Sequence, residues 1–115
     1  MDLLRFRQGV ATYVAYWNSH LDALEVVDGT LMATIYNPLT HNACVRDIHG
    51  VLDMEDEGVE YDEYVSLPIE KQYEIALERL RNLLKTALQA ENDYPRERGS
   101  RRAKNELNRV IKNLG

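Results

Sequence analysis

The sequence predicts a small α+β domain, with three amphipathic helices packed on a short antiparallel sheet. Three long segments carry apolar residues at helical spacing, and an Asp-Gly pair separates two alternating runs that read as a hairpin over 23–36. No internal repeat, low-complexity tract or linker divides the chain, so residues 1–115 read as a single domain. A chain of this length buries roughly two-thirds of its unfolded surface, enough for one core.

The first helix is expected over about 2–20, with Asp2 as its cap. Leu3, Phe6, Val10, Tyr13, Val14, Trp17 and Leu21 fall on one stripe, which makes the helix core-facing. The only Trp and the only Phe lie on that stripe, so both are assigned to packing. Gly9 falls on the opposite side, where it weakens the helix modestly.

Asp28-Gly29 then suits a two-residue type I′ turn, because both central positions need positive φ. That turn pairs Val26 with Leu31 and Leu24 with Ala33, and it puts Ile35 on the same apolar face. The opposite face is mixed, as expected for a sheet covered on one side. Asn37-Pro38 ends the second strand.

Residues 39–65 give conflicting signals. Val45, Ile48 and Leu52 fit a helix capped by Thr40, or a strand with Gly50 at a bulge. Val59, Tyr61 and Val65 share one parity among β-forming neighbours, which favours a strand there.

A helix over about 67–91 follows, started by Ser66 with Pro68 in its first turn. Its apolar stripe runs from Ile69 to Leu88, with Glu70, Glu74 and Glu78 early and Arg79, Arg81 and Lys85 later. That order complements the helix dipole, which accounts for those charges. The last helix, about 100–114, takes Ser100 as cap and packs through Ala103, Leu107, Val110, Ile111 and Leu114.

A single cysteine forms no internal disulfide, so an oxidising compartment is not needed. Asp2, Arg5 and Arg7 break up the start, which does not read as a signal peptide. Polar residues interrupt the longest uncharged stretch, Gly29–Val45, so it does not read as a membrane span. The expected setting is cytoplasmic.

The formal net charge of −5 hides an asymmetry: residues 1–66 sum to −9 and residues 67–115 to +4. Asp53 to Glu63 holds seven carboxylates and no cation, whereas Arg96 to Lys112 holds seven cations and two carboxylates. These segments either pair with each other or face charged partners.

Four constellations invite chemistry. Asp53, Glu55, Glu57 and Gly58 match positions 1, 3, 5 and 6 of a calcium loop, but Tyr64 stands where the bidentate Glu belongs. His41, Cys44, Asp47 and His49 are zinc-type donors without a recognised zinc spacing. A Cys44–His pair suits nucleophilic chemistry, yet nothing local supplies an oxyanion hole. No metal, cofactor or catalytic residue is therefore assigned. Arg101, Arg102, Lys104, Arg109 and Lys112 lie opposite the apolar stripe of the last helix, with Arg96 and Arg98 just before it. They form a candidate anion or nucleic-acid surface.

The leading expectation is a non-catalytic regulator or inhibitor that binds a protein partner with a basic surface. Its contact residues are Asp53, Glu55, Asp56, Glu57, Glu60, Tyr61, Asp62, Glu63 and Tyr64. Compact negative surfaces can occupy basic grooves built for nucleic acid, a device used by small phage-encoded inhibitors and immunity proteins. Nucleic-acid binding through residues 96–112 is the second reading. A second copy of the chain is also a candidate partner, because the 67–91 helix can pack within a monomer or across a dimer.

Overall fold

The computed structural model describes residues 1–115. Its elements run α1 (Leu3–Tyr16), β1 (His20–Val27), β2 (Thr30–Asn37), β3 (Asn42–Asp47), α2 (Ile48–Val51), a 3-10 turn (Met54–Glu57), α3 (Tyr61–Val65), α4 (Ile69–Asp93) and α5 (Ser100–Asn113). The fold is mixed α+β: five helices and one three-stranded antiparallel sheet of order β1-β2-β3. No helix is long and apolar enough to cross a membrane.

Asp2 caps α1 as expected, accepting from the Arg5 N–H at 3.1 Å. The helix stops at Tyr16, short of residue 20, because Asn18 takes a left-handed conformation (φ 61°). The Ser19 N–H returns to the Val14 carbonyl and the Asn18 N–H to that of Ala15, which together make a Schellman closure. Trp17 is thereby turned off the core stripe and is 63% exposed, contrary to its assignment to packing.

Gly9 also departs from expectation. It is buried, and a Cβ there would lie 2.8 Å from Leu80 Cδ2 and within 3.3 Å of Leu114. Glycine is needed because α1, α4 and the end of α5 converge at this point.

The hairpin has the predicted register, Val26 opposite Leu31 and Leu24 opposite Ala33, with Asp28 and Gly29 both at positive φ. Its register shifts between Leu21 and Ala23, and the Asp22 carbonyl freed by this bulge accepts from Arg7 Nη2 at 3.0 Å. Beyond Pro38, the ambiguous stretch yields a third strand on β2 and then a short helix. Thr40 does not cap that helix; Asp47 does, accepting from the Gly50 N–H at 2.7 Å. Gly50 lies inside α2 and marks no bulge.

The expected strand at 59–65 is instead α3. Tyr61, Tyr64 and Val65 fit helical i, i+3, i+4 spacing as well as they fit alternation, and Asp62 and Glu63 favour a helix N-terminus. Ser66 does not start α4: its hydroxyl donates to the Glu63 carbonyl at 2.8 Å, while Pro68 holds the N-cap of α4.

One cluster of 16 buried apolar residues draws on every helix and on β2. α1 runs alongside α4 in the same direction, from Asp2 beside Tyr73 to Tyr16 beside Glu91, and α5 returns antiparallel from Glu91 to Arg81. The apolar stripe of α4 is thus consumed within the chain by α1, α5 and β2. At 25 residues, α4 is about 37 Å long and reaches from the acidic segment to the basic one.

Candidate functional site

The acidic segment is an ordered surface. Asp53 enters the 3-10 turn with φ 49° and Gly58 leaves it with φ 76°, so the chain reverses on both sides of Met54, whose side chain is fully buried. Arg79, on the face of α4 beneath, fastens the turn. Its Nε donates to the Leu52 carbonyl at 2.8 Å, Nη2 to the Asp53 carbonyl at 3.0 Å, and Nη1 to Glu57 Oε1 at 2.6 Å. Only 13% of the Arg79 side chain is exposed, against 46% for Glu57.

His49 provides a second fastening. It is buried, and its Nε2–H donates to the Val59 carbonyl at 2.6 Å, while its ring meets those of Tyr61 and Tyr64 at 5.5 Å. A carbonyl can only accept, so that ring nitrogen carries the proton.

These contacts sort the predicted residues. Asp53, Glu55, Asp56, Glu60, Asp62 and Glu63 are exposed and free of ion pairs, and Tyr61 is 43% exposed beside them. Glu57 is also exposed, but Arg79 holds it. Tyr64 is a correction: it has no exposed surface, and its hydroxyl donates to the Gln72 carbonyl at 3.3 Å. Burial raises its pKa well above the ordinary tyrosine range. Tyr64 is a core residue and offers nothing to a partner.

Beside the turn lies a cleft of about 370 Å³. Val59 and Ile75 form its apolar part over the buried Met54, and Glu57, Glu74 and Glu78 line it together with Arg79 and Asn82. Glu74 also meets Lys71 at 3.2 Å, but both groups are well exposed, and such pairs are weak. The α4 carboxylates thus extend the negative surface beyond residues 53–63. Sequence reasoning missed them, and it assigned Arg79 to the helix dipole.

The basic segment is built on the opposite sign of clamp. Glu91 of α4 is 2% exposed and receives the Ser100 hydroxyl at 2.7 Å, the Tyr16 hydroxyl at 3.1 Å and Arg96 Nη2 at 2.6 Å. Those donors, the Ser100 hydroxyl first, hold its carboxyl below the ordinary range despite burial. Ser100 is therefore no N-cap; Gly99 occupies that position with φ 90°, and the Ser100 hydroxyl also accepts from the Arg96 N–H at 2.6 Å.

Arg109 is engaged as well, donating from Nε at 3.2 Å and from Nη2 at 2.6 Å to the Glu106 carboxylate. Arg98, Arg101, Arg102, Lys104 and Lys112 have no ion-pair partner, and Lys104 is half-buried. No ion pair joins the acidic segment to the basic one. Each is tied to α4 instead.

Compared with known proteins, the chain matches no family model, no curated protein and no solved structure. The residues themselves carry the functional argument.

The three remaining constellations do not assemble. His41 Nδ1 pairs with the Tyr36 hydroxyl at 3.1 Å, Asp47 caps α2, His49 is buried, and Cys44 faces solvent on β3. Neither imidazole hydrogen-bonds the thiol. Asp53, Glu55 and Glu57 likewise do not converge into a set that holds a metal ion.

Proposed function

We propose that the protein is a non-catalytic binding module that docks on a basic surface of a protein partner through its acidic face. The cleft between the 3-10 turn and α4 carries this reading. A lysine or arginine side chain has an aliphatic stem and a cationic head, and a cleft with an apolar floor and carboxylate walls suits both halves.

Tyr61 adds an amphipathic ring with few rotors at the margin, a residue type favoured at interface cores. The unpaired carboxylates around it speed encounter with a cationic surface and reject anionic ones. The clamps on Arg79 and His49 hold this face in shape before binding, which lowers the ordering cost of association. Where the basic surface belongs to a nucleic-acid-handling protein, docking displaces the nucleic acid, and the outcome is competitive inhibition.

The test compares the intact chain with E55Q/D56N/E60Q/D62N/E63Q, which leaves the Glu57–Arg79 clamp in place. Both are immobilised and challenged with nuclease-treated lysate of the native host, and proteins eluted by salt are identified. The reading expects basic proteins captured by the intact chain and lost from the neutralised one at equal folded content. Capture that survives neutralisation refutes it.

A further inference from the structure

The fold brings aromatic side chains to the basic end that lie far from it in sequence. Tyr16 and Trp17 close α1, and their rings meet edge to face with centroids 5.2 Å apart. The Arg96 guanidinium lies over the Tyr16 ring, 5.9 Å from its centroid. Trp17 is 63% exposed, and Tyr94, two positions before Arg96, is 81% exposed. From Tyr16 a groove of about 450 Å³ continues between α1 and α5 past Arg96 to Arg102 and Glu106, while Trp17 lies outside it, beside Tyr13, Ile35 and Arg46. Arg98, Arg101 and Arg102, around the start of α5, have no ion-pair partner.

We propose that this end binds single-stranded nucleic acid, with phosphates on Arg98, Arg101 and Arg102 and an unstacked base on Trp17. The proposal concerns a different surface from the acidic face and stands whether or not that face docks on a protein. Exposed aromatic rings and unpaired guanidinium groups at one end of the molecule match the two halves of a nucleotide: a π-face and an anionic phosphate. A duplex has its bases already stacked, so Trp17 selects for a single strand.

The chain's negative net charge does not oppose this. Arg79 and Glu91, the anchors of the two surfaces, are 12 positions apart on α4, which is about 18 Å along the helix axis. That exceeds the screening length of about 8 Å at physiological salt, so the phosphates meet the local cations.

Trp17 is the only tryptophan, so its emission reports stacking directly. The test titrates the intact chain with labelled oligo-dT and oligo-rU, reading tryptophan emission and label anisotropy together. The proposal expects saturable quenching of Trp17 with either strand or both, the preference identifying the sugar. Three phosphate contacts predict binding roughly 20-fold weaker at 200 mM salt than at 50 mM.

Trp17→Ala should weaken binding roughly tenfold with the salt dependence kept, and Trp17→Phe should restore part of the loss. R98Q/R101Q/R102Q should remove both binding and its salt dependence. Far-UV circular dichroism shows that each variant is folded. Absent quenching at low salt, equal affinity for a duplex, or unchanged binding by Trp17→Ala would each overturn the proposal.

Discussion

Of the seven carboxylates between Asp53 and Glu63, Glu57 alone is held in an ion pair, by Arg79 near the middle of α4. Towards the other end of that helix the signs are exchanged, and Glu91 holds Arg96 while α5 adds its own Glu106–Arg109 pair. Each charged segment is thus fastened by one opposite charge from α4, and the remaining like charges are left at the surface. The clamps differ in depth and chemistry. An arginine with five donors spans two carbonyls and a carboxylate, whereas a buried carboxylate gathers three donors. Arginine stays charged across the range in which proteins fold, but a carboxylate can be protonated. Two of the three Arg79 bonds end on backbone carbonyls, whereas all three donors of the basic clamp converge on the one Glu91 carboxylate, so protonation takes more from the basic end.

The largest effect should come from breaking the buried clamp. Glu91→Ala leaves the Tyr16 and Ser100 hydroxyls and Arg96 without their acceptor, and it should cost about 3 kcal/mol in urea denaturation. Amide exchange should accelerate at 94–102 and not at 53–63. In the unaltered chain the folded carboxyl of Glu91 lies below the ordinary 4.5. Its contribution is complete above that ordinary value and is lost as pH falls through the depressed one. Glu91→Gln should flatten this part of the stability profile below about pH 4.5.

Arg79→Met keeps the stem and removes the donors, so it should cost about 2 kcal/mol and release exchange at 52–58 alone. A release that spreads to α5 would mean that the two regions are not separately fastened. Gly9→Ala should lower stability by about 1 kcal/mol, because crowding against Leu80 and Leu114 outweighs the gain in helix propensity.

The smallest effect separates two tyrosines that the sequence treats alike. Tyr64→Phe should cost about 0.5–1 kcal/mol through loss of one buried hydrogen bond. Tyr61→Ala should change stability by less than about 0.5 kcal/mol while weakening partner capture. Equal behaviour of the pair would contradict the assignment of one to the core and the other to the surface.

The fold class was legible because its signals are local. Asp28-Gly29 dictates turn and register together, and long apolar stripes outvote everything else in α4 and α5. The acidic and basic segments were legible as composition. What each charge does was not, because its partner lies far away in sequence: Arg79 answers Leu52, Asp53 and Glu57, and Ser100 answers Glu91.

Tyr61, Tyr64 and Val65 satisfy two periodicities at once, and tertiary packing decided between them. Trp17 fitted the helical stripe until Asn18 ended the helix one residue earlier. An Asn two positions past the last apolar helical residue was the available signal, and it is a weak one. Gly9 looked like a cost only because the second packed side of α1 is invisible in one helix's pattern.

Nuclear magnetic resonance titration of the intact, isotope-labelled chain with a peptide of alternating arginine and leucine tests the central claim most directly. The account predicts saturable shifts confined to residues 54–63 and to the α4 positions around Ile75, Glu78 and Arg79, with α5 unmoved. Shifts centred on residues 96–112, or none that saturate, would contradict it.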